Sequence, residues 1–440
     1  MKRIFVLLML PLSMAAQKNY PQLLDQYMQA QADIKGFSGA VLVMKQNKVL
    51  LRKGYGLADK EWNIPNTADA KFRIGSVTKQ FTAACILQLV EKGKLSLDDK
   101  LSKFYPDFPK GDSVTIHMLL NHTSGIASYT DQKNFMEVAT LPWSKDSIIA
   151  YFKKVPYNFS PGTKWAYNNS GYFLLGCIIE KVSSQAYNDY LRQNILDKLG
   201  MKNSGADKLD SVLSLRAKGY SRKGKQTNNA DYISMEWPFS AGVLYSTLDD
   251  LYKWDRALYG NAILTDASKK KMFTPGKSNY GYGIIIDSLE KHFRIWHNGG
   301  IPGFSTNLSR FVNDDICTVV FSNNEMNTDF IAIAMADILF DLPVEVPYIH
   351  KEVKIDPALL DKYVGKYSAG LTLELIKKDG KLYRHRDGTP DIELKSESET
   401  KFFYADDTDR QLEFELDASG KVIKTWFYNS GQKGEIKKIQ

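Results

Sequence analysis

Apolar residues recur in this chain at two periods, and the places where the period changes divide it. Over 19–34, Leu23, Leu24, Tyr27 and Met28 stand at helical spacing and predict a helix. Apolar runs at 38–45 and 49–55 surround Gln46-Asn47-Lys48 and predict two strands about a turn. From about 76 to 275 the helical period dominates, most strongly at 77–92, 170–182 and 247–258. Strand character returns at 281–287, 292–297 and 305–322, and a helix is predicted over 326–341. Strands at both ends with helices between imply an α+β domain whose sheet is built from both chain ends around a helical insertion.

Leu342 to Pro357 holds three prolines among mixed charges and reads as a linker. Beyond it, Leu371–Ile376 and Lys381–His385 flank Lys378-Asp379-Gly380, and Gln411–Leu416 and Val422–Tyr428 flank Ala418-Ser419-Gly420. Asn429-Ser430-Gly431 opens another turn. Alternation around such turns predicts a small antiparallel β barrel or sandwich.

At the other end, Lys2 and Arg3 precede the apolar run Ile4–Leu12 and the small residues Ser13, Ala15 and Ala16. This is the layout of a secretory signal, too short to span a bilayer. A buried N-terminal helix fits less well, because the chain turns polar at Gln17. The expected division is a signal peptide at 1–16, a catalytic domain at 17–341, a linker at 342–356 and a small β domain at 357–440. The expected location is the periplasm or the exterior. No cysteine follows the run to carry a lipid, and no other stretch reaches the roughly 18 apolar residues of a membrane span.

Composition narrows the classes. Hydrophobic residues are 43% and charged residues 25% of the 440, which excludes disorder and collagen. The net charge of +8 is interleaved, with no basic stripe, so nucleic acid is not an expected partner. Cys85, Cys177 and Cys317 sit in apolar segments without a C-x-x-C pair, and are expected to be buried and unreactive. Six histidines without H-E-x-x-H support no metal site, and no cofactor is implied.

Candidate chemistry begins at Gly75-Ser76-Val77-Thr78-Lys79. A serine hydroxyl needs a base to become a nucleophile. Residues three apart share a helix face, which brings Lys79 to Ser76 Oγ. Ser76 would open the helix, where N–H groups favour developing negative charge, and Gly75 would leave room for a substrate. Of five S-x-x-K matches, starting at Ser76, Ser268, Ser288, Ser398 and Ser430, only that at Ser76 follows a glycine and heads a strongly apolar helix. Tyr167-Asn168-Asn169 adds a tyrosine whose pKa a neighbouring lysine can lower, and an asparagine able to hold a substrate amide or the lysine. Capping of a helix would explain the same turn. Trp296-His297-Asn298-Gly299-Gly300 lies between two strands, where glycines let an edge present N–H groups, or simply form a bulge.

In this order the three segments resemble the serine β-lactamase and penicillin-binding superfamily, the branch of class C β-lactamases, D-alanyl-D-alanine carboxypeptidases, D-aminopeptidases and esterases. Leu119–Gly125, Ser240–Thr247 and Tyr280-Gly281-Tyr282-Gly283 extend the likeness over about 20–340. The tail, with Tyr363-Val364-Gly365-Lys366-Tyr367, resembles the β domain appended to such hydrolases. The resemblance implies that Ser76 is acylated, that Lys79 and Tyr167 share base and acid duty, and that Asn169 orients substrate and lysine. It gives the oxyanion hole to the N–H groups of Ser76 and Gly300, and the basic position of the strand to His297, followed by Asn298 and Gly299.

Many members carry Lys-Thr-Gly or Lys-Ser-Gly at that position. A histidine is mostly neutral near pH 7, so carboxylate recognition is weakened and the expectation leans to esters or small amides. The partner is then a small molecule or short peptide. A true β-lactamase, or a sensor that binds without turnover, is the alternative. His122 is expected to be structural, and Gly242 and Tyr282 either line the pocket or pack in the core.

Overall fold

The computed structural model describes residues 18–439 except 209, 224–225, 369–371 and 430. The signal-like segment 1–16 lies outside the described residues.

Helix α1 (Tyr20–Asp33) starts where the Asn19 side chain accepts the Gln22 N–H at 3.3 Å, with Pro21 in the first turn. It buries Leu24, Tyr27, Met28 and Gln31, while Leu23, part of the predicted stripe, is exposed. Strands β1 (Gly39–Lys45) and β2 (Lys48–Tyr55) form a two-residue hairpin. Gln46 and Asn47 take φ of 50° and 59°, the left-handed pair that such a turn needs.

The rest of the main sheet comes from the far end of the domain: β3 (Ile285–Leu289), β4 (His292–Ile301), β5 (Phe304–Phe311) and β6 (Ile316–Ser322). Its order is β3-β4-β5-β6-β1-β2, antiparallel throughout. The predicted stretch 305–322 is thus two strands, joined by a turn in which Asp315 has φ 48°. The strand expected at 281–287 begins only at Ile285, because the chain at Gly283 (φ 72°) lies against the backbone of Lys79. Strand β4 runs past His297 to Ile301, so Gly299 and Gly300 lie within a strand, paired with Thr306 and Ser305, rather than between strands.

Both faces of this sheet are covered, which explains why β1 is a nearly unbroken apolar run. Its Ala40, Leu42 and Met44 enter the core shared with the helical region, whereas Val41 and Val43 pack with α1 and with Ile331 and Met335 of the last helix of this domain, Thr328–Leu339. The helical region contains α2 (Thr78–Glu91), α3 (Asn169–Ser183) and α4 (Leu248–Ala257); Thr328–Leu339 is α5. Helix α2 is buried from Thr78 to Leu89, and Phe81 stacks on Trp254 of α4 at 4.3 Å. This region also holds a small sheet of 72–73, 205–206 and 244–246 and a hairpin of 220–223 with 226–229. Such short strands leave too few alternations to read in sequence.

After the proline-containing stretch come β7 (Gly365–Ser368), β8 (Thr372–Lys378), β9 (Lys381–His385), β10 (Ile392–Ser396), β11 (Lys401–Tyr404), β12 (Arg410–Leu416), β13 (Val422–Asn429) and β14 (Gln432–Lys438). They form a closed antiparallel barrel, sealed where Tyr367 of β7 pairs with Lys438 of β14. Inside, Tyr363 stacks on Phe414 at 4.2 Å among Tyr367, Leu375, Leu412 and Ile436. All three cysteines are buried and unpaired, and burial pushes the Cys177 thiol up to about 12. No described helix is long and apolar enough to cross a membrane.

Candidate active site

Ser76 sits in a single 3-10 turn, Gly75–Val77, that leads into α2. Gly75 has φ +48°, and a Cβ there would stand 2.9 Å from Gly300 N. The room that Gly75 provides is therefore filled by β4, not left for a substrate. The contact is reciprocal: a Cβ at Gly299 would overlap the Ile74 carbonyl oxygen. These two glycines let the strand lie directly on the serine turn, while Gly300 has no atom within 4 Å of where its own Cβ would be.

One turn into α2, Lys79 is fully buried. Its Nζ lies 3.0 Å from Ser76 Oγ, 2.8 Å from Asn169 Oδ1 and 2.8 Å from the Ala241 carbonyl oxygen. Burial holds its pKa well below 10.5, and no anion opposes the shift. In its neutral form the amine has two N–H bonds and one lone pair. Asn169 Oδ1 and Ala241 O can only accept, so they take the two hydrogens. The lone pair is left for the Ser76 hydroxyl, the only one of the three partners that can donate.

Asn169 is held in turn. Its N–H donates to Ser128 Oγ at 3.1 Å and its Nδ2 to Thr130 Oγ1 at 3.0 Å. Asn168 caps α3, accepting the Gly171 N–H at 2.6 Å, so capping and lysine-holding are divided between the two asparagines. Tyr167, just before them, has its ring 4.8 Å from Lys79 Nζ. The expectation of a lowered tyrosine pKa is corrected: burial pushes the phenol up, and its contact with Ser76 offsets only part of that.

His122 takes φ 63° and is buried. Its Nδ1 accepts the Asn168 N–H at 3.1 Å, and its ring lies 4.5 Å from those of Tyr167 and Tyr280. It buttresses the tyrosine turn from behind.

His297 is also buried, and both ring nitrogens are engaged. Nε2 accepts from Tyr280 OH at 2.9 Å, and Nδ1 donates to the Asn298 carbonyl at 2.5 Å. Burial, with Lys79 nearby, pushes its pKa down to about 3. The position is an uncharged link between strand and tyrosine, with no free cationic group for a carboxylate.

Ser76 opens onto two cavities. The larger, about 630 Å³, is lined among others by Trp165, Tyr167, Tyr280, His297, Asn298, Gly299, Gly300, Glu325 and Asp329. The smaller, about 100 Å³, is mostly apolar, with Tyr129, Phe135, Ile233, Pro238 and Ile301, and Gly242 lines it. All seven residues singled out in the sequence, Ser76, Lys79, Tyr167, Asn169, His297, Gly299 and Gly300, converge here. Tyr282 does not; its hydroxyl pairs with His117 Nδ1 at 2.7 Å, outside the larger cavity. Sequence reasoning missed Trp165, Thr130, Glu325 and Asp329, and weighed Tyr282 where Tyr280 lines the cleft. Tyr280 lay in a phrase already noted; Glu325 and Asp329 carried no motif signal.

Comparison with known proteins agrees with this architecture. The Beta-lactamase family model matches residues 22–340. A penicillin-binding protein of Bacillus subtilis (strain 168) is 30% identical over 402 residues, 83% of this chain and 88% of that protein. The octameric penicillin-binding protein homologue from Pyrococcus abyssi superposes with a TM-score of 0.69 at 26% identity, covering 94% of this chain and 99% of its own. A D-stereospecific amidohydrolase from Streptomyces sp. superposes at 0.60 and 25% identity over 68% of this chain and 94% of its own.

Proposed function

Because the chain belongs to the β-lactamase family of penicillin-binding-type serine hydrolases, we propose that it is an exported hydrolase that cleaves an ester or amide through an acyl-Ser76 intermediate. The observation that carries this is the position of Lys79 Nζ, 3.0 Å from Ser76 Oγ and anchored by two partners that can only accept. In the reaction, Lys79 takes the Ser76 proton as Oγ bonds to the acyl carbon. The oxygen that becomes negative is received by the N–H groups of Ser76 and Gly300. Tyr167, an un-ionised phenol beside Lys79, passes the proton to the leaving group, and water then attacks the acyl-enzyme by the reverse relay. Asn169 keeps Lys79 in place. His297, Gly299 and Gly300 form the strand edge against which the substrate lies.

The uncharged His297 favours esters and amides over β-lactams or peptides with a free terminal carboxylate. Amide cleavage is also what the Streptomyces neighbour is named for. The test is hydrolysis of a short-chain p-nitrophenyl ester and an amino-acid amide by the chain from residue 17 to 440, beside Ser76→Ala. Turnover that falls by roughly 10³-fold or more in the variant supports the reading. Equal turnover in both, or none in the parent, defeats it.

A further inference from the structure

Ser76 and Gly300, whose N–H groups receive the negative oxygen in the proposed reaction, stand on different elements, the turn Gly75–Val77 and strand β4. Two donors on separate elements can receive one oxygen only if the elements are fixed to each other. Gly75 and Gly299 permit the close approach of turn and strand but supply no directed bond. Among the described residues, one side-chain hydrogen bond joins Ile74, where the turn begins, to the sheet. Thr306, on β5 opposite Gly299, is fully buried, and its Oγ1 donates to the Ile74 carbonyl at 2.9 Å. The Gly299 carbonyl lies farther from the same hydroxyl, at 3.4 Å. A hydroxyl has one hydrogen, so the shorter contact takes it.

Ile74 has φ −99° and ψ 2°, between helical and extended backbone, so no regular element of its own holds it, and no side chain caps the turn. Its N–H donates to the Leu244 carbonyl at 2.9 Å, and its own carbonyl also accepts the Val77 N–H at 3.2 Å. The Thr306 hydroxyl thus grips the peptide between Ile74 and Gly75, one residue ahead of Ser76. Packing alone does not call for that hydroxyl, since a valine has the same shape and a buried hydroxyl is costly unless it is bonded.

We infer that Thr306 is a positioning residue for the oxyanion hole: by holding the Ile74 carbonyl, its hydroxyl sets the separation of the Ser76 and Gly300 N–H groups. This rests on the acyl-Ser76 reading. Thr306 lines neither cavity, so it reaches the reaction only through the turn. Its weight falls on the transition state, whose oxygen is negative, rather than on the bound ester, whose oxygen is not.

The test uses the chain from residue 17 to 440 with Thr306→Val, which keeps the shape and removes the donor, and Thr306→Ser, which keeps the donor. The constants kcat and KM are measured on a short-chain p-nitrophenyl ester. Inhibition is measured with an aryl trifluoromethyl ketone: Ser76 Oγ bonds to its carbonyl carbon, the C=O pair moves onto oxygen as the anion, and the hydroxyl proton passes to Lys79. Thr306→Val is expected to lower kcat by about tenfold or more with KM within about threefold, and to weaken the ketone by the same factor as kcat/KM. Thr306→Ser is expected to stay within about threefold of the parent in both. An unchanged kcat in Thr306→Val, a fall in kcat with undiminished ketone binding, or a serine variant as impaired as the valine overturns the inference. If Thr306→Val does not melt cooperatively, Thr306→Ala is read in the same way, and failure of both to fold shows that the hydroxyl holds the fold rather than the hole and overturns the inference. Absence of ester turnover in the parent instead defeats the hydrolase reading, whatever the variants do.

Discussion

Lys79 Nζ lies 3.0 Å from Ser76 Oγ inside a site that offers the lysine two further acceptors and no anion. A buried amine whose pKa is lowered costs stability, because the unfolded chain holds the proton more tightly than the folded chain does. Below about pH 10.5 the unfolded state binds the extra proton, so the Lys79 contribution improves as pH rises toward that value.

Lys79→Met should therefore separate function from stability. Activity toward an ester is expected to fall by about 10²–10⁴-fold, the usual weight of a general base. The melting temperature at neutral pH is expected to rise by about 1–3 °C. In the parent, kcat/KM should fall on the acidic side through one ionisation well below 10.5, as the lysine gains its proton. Differential scanning calorimetry and a pH–rate profile check both halves. A drop in stability comparable to a lost core side chain would mean that Lys79 is charged and paired.

The two glycines of β4 differ in a way that substitution can read. Gly299→Ala drives a Cβ into the Ile74 carbonyl, and Gly300→Ala meets nothing within 4 Å. The first is expected to cost about 2–4 kcal/mol and to displace the serine turn. The second should change stability by less than about 0.5 kcal/mol. Denaturant unfolding of the two variants gives the comparison, and equal costs would refute the close approach of strand and turn.

Buried His122 and His297 both have pKa values pushed down, His297 to about 3. Their unfolded counterparts protonate near 6.5. The unfolded chain thus binds more protons below 6.5, and the stability tied to neutral histidines is full above that pH and is lost as pH falls toward 3. Both rings should show the nitrogen shifts of neutral imidazole between about pH 5 and 8 by NMR, with no histidine step near 6.5 in kcat/KM. A titration of either ring close to 6.5 would show it to be solvated.

The helices at 20–33, 78–91 and 169–183 and the places of the main-sheet strands follow from apolar pattern, because each is apolar over several residues, whereas the start at Ile285 and the break between 311 and 316 do not. The short strands at 72–73, 205–206 and 244–246 do not, since two or three residues contain no period and are paired only by what surrounds them. Whether the tail closes as a barrel or splits into a sandwich also escaped pattern. Both bury alternate residues, and only the pairing of Tyr367 with Lys438 distinguishes them.

In the site, the identities of Ser76, Lys79, Tyr167, Asn169, His297, Gly299 and Gly300 were legible from motif and order. Their protonation was not. Tyr167 beside a lysine suggested a lowered pKa, and the opposite holds because a pKa depends on burial and on the charge of the neighbour, neither of which spacing specifies. The two carboxylates of the cleft were invisible for a related reason. Glu325 and Asp329 lie far along the chain from Ser76, and it is the hydrogen bonds of Glu325 to Gly303 and of Asp329 to Asn298 and Asn307 that hold them at the same cleft. The sequence by itself determined which groups are present and which helix or strand carries each, through local period and turn chemistry. Tertiary structure alone decided which of them are dry, which are charged and which face the substrate, because solvation and electrostatic fields sum over everything packed nearby.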